Sequence, residues 1–142
     1  MTISIDAVID APLHDTWAMI SDFGNLKRWH PLVQRCETQG EGEGAIRTVH
    51  FADSWAAERL DRLDHDRHVL HYAIIDSDKP SSIGLKGAIA LFADGEGRTA
   101  LNWTSGVDPA REDAAALDAY LEQYYPSRID HLRDALTSSS QV

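Results

Sequence analysis

Between residues 32 and 106 apolar and polar side chains alternate with a period of two. The alternation is broken at short intervals by "GEGEG", "LDHDRH", "DSDKPSS" and "ADGEG". Such alternation marks strands with one buried face, and turn residues at this spacing leave room for hairpins but not for crossover helices. The pattern predicts strands near 32–39, 45–51, 55–63, 68–76, 83–93 and 98–106. In "ISIDAVI" Ile3, Ile5, Ala7 and Ile9 fall on one face and add a seventh strand. Short connections favour an antiparallel meander.

Helical spacing occurs in only two regions. "APLHDTWAMISDF" opens with Pro12 at a helix start and sets Leu13, Trp17 and Ile20 three to four residues apart. Asp22 is placed to cap a second short helix that ends at Trp29, because Pro31 biases His30 away from helical geometry. Pro109 to Leu136 is the one long helical pattern, with Leu117, Tyr120, Leu121, Tyr124, Ile129, Leu132 and Leu136 forming a broad apolar stripe. Pro126 within it predicts a bend near Tyr125 or a break into two pieces. The order is therefore strand, two short helices, six strands and one long helix, an α+β domain. One helix cannot cover so wide a twisted sheet without leaving room between them.

The chain has 142 residues, enough for one domain, expected over 1–136, with 137–142 a polar tail that should fray. Its net charge of −10 with neutral histidines argues against nucleic acid and anionic membrane surfaces as partners. No apolar run is long enough for a membrane span, and the first residues lack the pattern of a secretory signal. The single cysteine, Cys36, allows no internal disulfide or Cys-rich zinc site, so a reducing cytoplasm is the expected compartment.

The element order, with "DFGNLKRWHPLV", "GEGEGAIRTV" and "AERLDRLDHDRHVLHYAI", resembles the START/Bet v 1-like (SRPBCC) superfamily. Within it the chain resembles the polyketide cyclase/dehydrase-like branch, distantly similar to plant abscisic acid receptors. The resemblance implies a helix-grip fold: a seven-stranded curved antiparallel sheet wrapped around the long C-terminal helix, with a hydrophobic ligand held between them. It places Phe23 to Leu32 at one mouth of that cavity, with Trp29 and His30 near the rim. The loop "DSDKPSSIGLKG" departs from the receptors' glycine-rich gate and its neighbouring histidine-arginine pair, which argues against hormone-type gating.

Strand parity sorts the candidate binding residues. If Val49 and Phe51 point inward, so does Arg47, and His50 points out; Leu60 inward takes Ala56 and Glu58 with it; Tyr72 and Ile74 leave His71 outside. Arg47 and Glu58 on neighbouring strands would pair, because an unpaired buried charge loses its hydration. That pair either holds register only, or lets Arg47 grip a carbonyl, enolate or carboxylate while Glu58 accepts a hydroxyl or moves a proton. Trp29, Tyr72, Trp103, Tyr120, Tyr124 and Tyr125 supply flat surfaces and hydroxyls, with Leu117 and Leu121 beside them on the helix; Trp17 and Trp55 are assigned to packing.

"GEGEGAIR" reads as a hairpin turn, since a dinucleotide fingerprint needs a helix after it. His65, His68 and His71 span a turn and a strand, where three-residue spacing does not share a face, so no metal site is expected. No cofactor fingerprint and no strained nucleophile occur, so no cofactor is expected. Two readings result. One is a carrier or sensor-like module for a hydrophobic or aromatic small molecule. The other is a cofactor-independent aromatase/cyclase in which Arg47 steadies an enolate and Glu58, His30 or Tyr124 exchanges protons.

Overall fold

The computed structural model describes residues 3–140, and side chains through residue 137. Strand β1 (Ile3–Ile9) is followed by α1 (Leu13–Ser21) and a 3-10 segment, Phe23–Arg28. Six strands come next: β2 (Arg35–Gln39), β3 (Ile46–His50), β4 (Trp55–Asp64), β5 (Val69–Ser77), β6 (Lys86–Ala93) and β7 (Thr99–Gly106). Helix α2 (Ala114–Ser140) closes the chain. All strand pairs are antiparallel in one sheet of order β1-β7-β6-β5-β4-β3-β2, the meander expected from the alternation and the helix-grip architecture implied by the resemblance.

Several boundaries differ from the sequence reading for identifiable reasons. Asp22 does not cap the second helix with its side chain; that segment is 3-10, with Asn25 outside helical dihedrals. The Asn25 backbone N–H donates instead to the Asp22 carbonyl at 3.0 Å. The long helix starts at Ala114 rather than Pro109, because residues 108–111 form a turn: Ala110 N–H donates to Asp108 Oδ1 and Arg111 N–H to the Asp108 carbonyl. At the other end α2 reaches Ser140 and takes in part of the stretch read as a polar tail; Gln141 and Val142 lie outside the described residues. Pro126 does not divide α2, which passes through it as one helix.

The sheet curves. Register shifts between Ala57 and Glu58 and between Leu60 and Arg62 bend the long β4–β5 pair, as extra residues in a ladder do. The β2–β3 turn reverses tightly through Gly40, Gly42 and Gly44, each at positive φ, where a side chain would be strained.

Helix α2 divides by function along its length. Ile129, Leu132 and Leu136 are buried in the core with Ile3 and Ile9 of β1 and Leu101 of β7. Arg133 fastens that half by donating to the Val8 carbonyl at 2.9 Å. The preceding half, from Ala116 to Arg128, stands over an open space above the remaining strands. Pro126 lies near the junction. The start of α2 is tied to the β5–β6 loop, where Arg111 donates to the carbonyls of Ile83 (2.8 Å) and Ser81 (2.9 Å).

Candidate functional site

The space between sheet and helix is a cavity of about 730 Å³. Leu26, Leu70, Leu85, Ile89, Trp103, Leu117 and Leu121 give it an apolar wall. It is bordered at its open end by the β3–β4 turn (Ala52, Asp53, Ser54), by Lys79, Ser81 and Ser82 of the β5–β6 loop, and by Leu32 and Tyr120, both exposed.

Arg47 and Glu58 face each other across β3 and β4, as parity required. The Arg47 Nε donates to Glu58 Oε1 at 2.7 Å, and a terminal nitrogen approaches the same oxygen at 2.7 Å. The other terminal nitrogen donates to the Phe23 carbonyl at 3.0 Å, and the guanidinium lies 4.0 Å from the centre of the Phe23 ring. The 3-10 segment is thus clamped onto the sheet by the ion pair, which is committed to protein partners before any ligand arrives.

A second polar unit joins the aromatic side chains. Trp103 Nε1 donates to the Tyr72 hydroxyl at 3.1 Å, Tyr72 and Tyr125 hydroxyls meet at 3.0 Å, Tyr125 donates to Ser105 Oγ at 2.8 Å, and Ser105 to the Lys86 carbonyl at 2.9 Å. Since Tyr125 gives its proton to Ser105, the Tyr72 proton points to Tyr125. Each hydroxyl proton is spent, so toward a ligand this row offers lone pairs and ring faces only. Burial pushes both phenols above their ordinary pKa and keeps them neutral.

His30 lies deeper than expected. The resemblance put Trp29 and His30 at the rim, but both are buried, His30 at 4% exposure, and Leu32 is the residue that reaches the mouth. The backbone explains it: His30 N–H returns to the Leu26 carbonyl and Val33 N–H to the His30 carbonyl, a turn that tucks the ring beneath the segment before Pro31. There the ring centre lies 5.6 Å from Phe51, 5.8 Å from His131 and 5.9 Å from Trp29. Neither ring nitrogen has a hydrogen-bond partner. Burial, then the positive charge of Arg128, then His131 and Arg47 lower its pKa to about 3, so the ring is neutral at pH 7.

Of the residues singled out from sequence, Trp29, His30, Arg47, Phe51, Ala56, Glu58, Tyr72, Ile74, Trp103, Leu117, Tyr120, Leu121 and Tyr124 all border the cavity. Val49 does not; it shares the inward face of Arg47 but is sealed in the core. Trp55, assigned to packing, stands at the mouth as the first residue of β4, while Trp17 is packed as expected and donates to His65 Nδ1 at 3.1 Å. Tyr125 also borders the space, and so does Arg128, which sequence reasoning missed. Its signal was present: Arg128 follows Tyr124 by four and Leu121 by seven, on the same helical stripe. No cluster of three or more metal-ligating side chains occurs among the described residues.

A curved sheet gripping one long helix over an internal, largely apolar cavity defines a helix-grip domain. The chain belongs to the family described as polyketide cyclase / dehydrase and lipid transport, whose model matches residues 1–137. Curated relatives include abscisic acid receptors of Arabidopsis thaliana. PYL7 is 33% identical over 75 residues and PYL10 32% over 76, each alignment taking 49% of this chain. The matched part spans only 36% of PYL7 and 42% of PYL10. Among solved structures, XoxI of Bacillus cereus superposes with a TM-score of 0.81 at 16% identity, covering 97% of this chain and 96% of that one. A Nitrosospira multiformis protein gives 0.79 at 21% identity, covering 99% of each chain. These likenesses establish the fold. No helix among the described residues is long and apolar enough to cross a membrane.

Proposed function

We propose that the chain binds a hydrophobic or aromatic small molecule in the cavity under α2, as a carrier or sensor-like module. The observation that carries this reading is the cavity itself: about 730 Å³ of mostly apolar space falls in the range of small-molecule sites, about 300–1,000 Å³. A ligand burying about 300 Å² of apolar surface there would gain roughly 7 kcal/mol before the costs of association. The relatives' names, abscisic acid receptors, and the family's description, which includes lipid transport, point the same way.

The polar groups favour binding over chemistry. Arg47 is held in place by Glu58 and the Phe23 carbonyl, and the Tyr72–Tyr125 row has no proton to give. The cyclase reading draws on the family's description and would employ Arg47, Glu58 and His30 in proton and oxyanion roles.

Native mass spectrometry of the purified protein, followed by extraction under denaturing conditions, tests the reading. A copurified apolar molecule, or a mass shift with added apolar compounds, is expected. Failure to bind any member of a chemically broad apolar panel would defeat it. If a bound polyketide-like compound were turned over and Glu58→Gln slowed that turnover by about a hundredfold, the cyclase reading would replace it.

A further inference from the structure

The histidines of "HDRHVLH" are spaced wrongly for a metal, yet two of them enclose one buried indole. Trp17 of α1 is 7% exposed, and its ring centre lies 5.7 Å from that of His65 and 5.5 Å from that of His68, each in an edge contact. Its Nε1 donates to His65 Nδ1 at 3.1 Å. His68 takes a left-handed φ of 58°, a conformation that costs a residue with a side chain and persists where its surroundings hold it. An indole nitrogen can only donate, so the bond to His65 exists only while Nδ1 carries no proton. When the imidazole takes a second proton, Nδ1–H points at the indole N–H, and a buried donor loses its acceptor. Histidine is the side chain that gains charge on mild acidification.

The titratable and charged groups about His65 are Asp64, Asp66, Arg67 and His68 in its own turn, His14 and Asp15 on α1, Glu43 in the β2–β3 turn and Asp94 at the end of β6. Asp64 is committed to the N–H groups of Asp66 and Arg67 and to Arg62, Glu43 to the Leu63 N–H, and Asp94 to Arg98. Among the described residues Trp17 is the hydrogen-bond partner of the His65 ring. The contact also joins two walls of the cavity. Ile20 follows Trp17 by three on α1, Leu70 follows His68 by two at the start of β5, and both border the space. In the meander the β3–β4 turn and the β5–β6 loop lie at the mouth, so the β4–β5 turn lies at the opposite end of the sheet.

Resting on the carrier reading above, we propose that the Trp17–His65 bond is a proton-sensitive clasp: protonation of His65 frees α1 from the β4–β5 turn, loosens the inner end of the cavity and speeds the loss of a bound apolar molecule. The neutral ring holds the two walls together; the charged ring lets them part.

The test follows the full chain at pH 7.5 and pH 5.5 by two readouts. One is the Trp17 indole N–H signal of the nitrogen-15-labelled protein, assigned from its contact with the His65 ring. It should shift in step with the titration of that ring. The other is stopped-flow dissociation of the neutral fluorescent probe N-phenyl-1-naphthylamine. Acidification should speed dissociation about fivefold more in the unaltered protein than in His65→Gln, the worth of one hydrogen bond, because an amide oxygen accepts without titrating. His65→Phe, with no acceptor, should release the probe fast at both pH values. His30 and His71 are present in every protein compared and contribute equally to each. An indole signal that stays still while the His65 ring titrates overturns the clasp, and the unaltered protein alone decides that. Equal acceleration in the unaltered protein and His65→Gln also overturns the proposal. A probe that binds at neither pH defeats the carrier reading and the release step with it; an indole signal that still follows His65 then shows that the failure lies in that reading and not in the clasp.

Discussion

At the scale of single residues the unusual group is His30. Its pKa is lowered from 6.5 to about 3, so the unfolded chain binds a proton at higher pH than the native one does. The stability this contributes is fully present above pH 6.5 and is lost as the pH falls from there toward 3. Between pH 6.5 and 4.5, above most carboxylate titrations, the loss should be of the order of 2 kcal/mol. His71, also lowered by burial, adds a smaller effect of the same sign because it is more exposed. Urea midpoints at the two pH values should separate clearly for the native protein and much less for His30→Phe; equal separations would place the effect elsewhere. Arg47 and Glu58 were legible at this scale because parity and the cost of unpaired burial leave few alternatives. Arg128 and the depth of His30 were not. A charged residue on an apolar stripe reads the same whether it snorkels to water or faces a cavity.

At the scale of elements the sheet and the row of phenols depend on one small residue. Gly87 in β6 stands opposite Tyr72 in β5, and a methyl group there would overlap the end of the Tyr72 ring and its hydroxyl. Gly87→Ala should therefore push Tyr72 away from Tyr125 and Trp103. The expected cost is about 1–3 kcal/mol, read as a lowered denaturant midpoint with an altered tryptophan emission from Trp103. An unchanged midpoint and spectrum would show that the row can shift freely. Strands were the most legible elements, since alternation and glycine-rich turns mark them directly. Helix ends were less so: Asp108 and Arg111 build a turn from side-chain and backbone bonds that no periodicity encodes. Pro126 misled for a related reason. It lies where α2 passes from gripping β1 and β7 to spanning the cavity, and tertiary packing on both sides outweighs the lost backbone bond.

At the scale of the whole molecule the cavity divides the interior, so a ligand completes the packing. An apolar compound present at a hundred times its dissociation constant should stabilise the fold by about 2.7 kcal/mol. For a domain of this length that is a rise in melting temperature of roughly 8 °C. Differential scanning fluorimetry across an apolar panel would read it, and a melting temperature indifferent to every compound that binds would contradict a cavity seated in the core. The existence of the cavity followed from arithmetic on the sequence, one helix against seven strands. Its contents did not, because charge balance inside it depends on which side chains meet in three dimensions.

The sheet order also governs the sequence of events by which the chain acquires its shape. Ile3 of β1 pairs with Ser105 of β7, and β2 sits at the far margin. On a ribosome β1 emerges first yet has no partner until nearly the whole meander has been made. The hairpins from β2 to β7 can form locally as they appear, whereas the β1 ladder waits for closure of a loop about as long as the domain, a step that slows folding. Of the seven strands the first made is then the last seated, and α2, which also rests on β7, completes its grip only when β1 is in place.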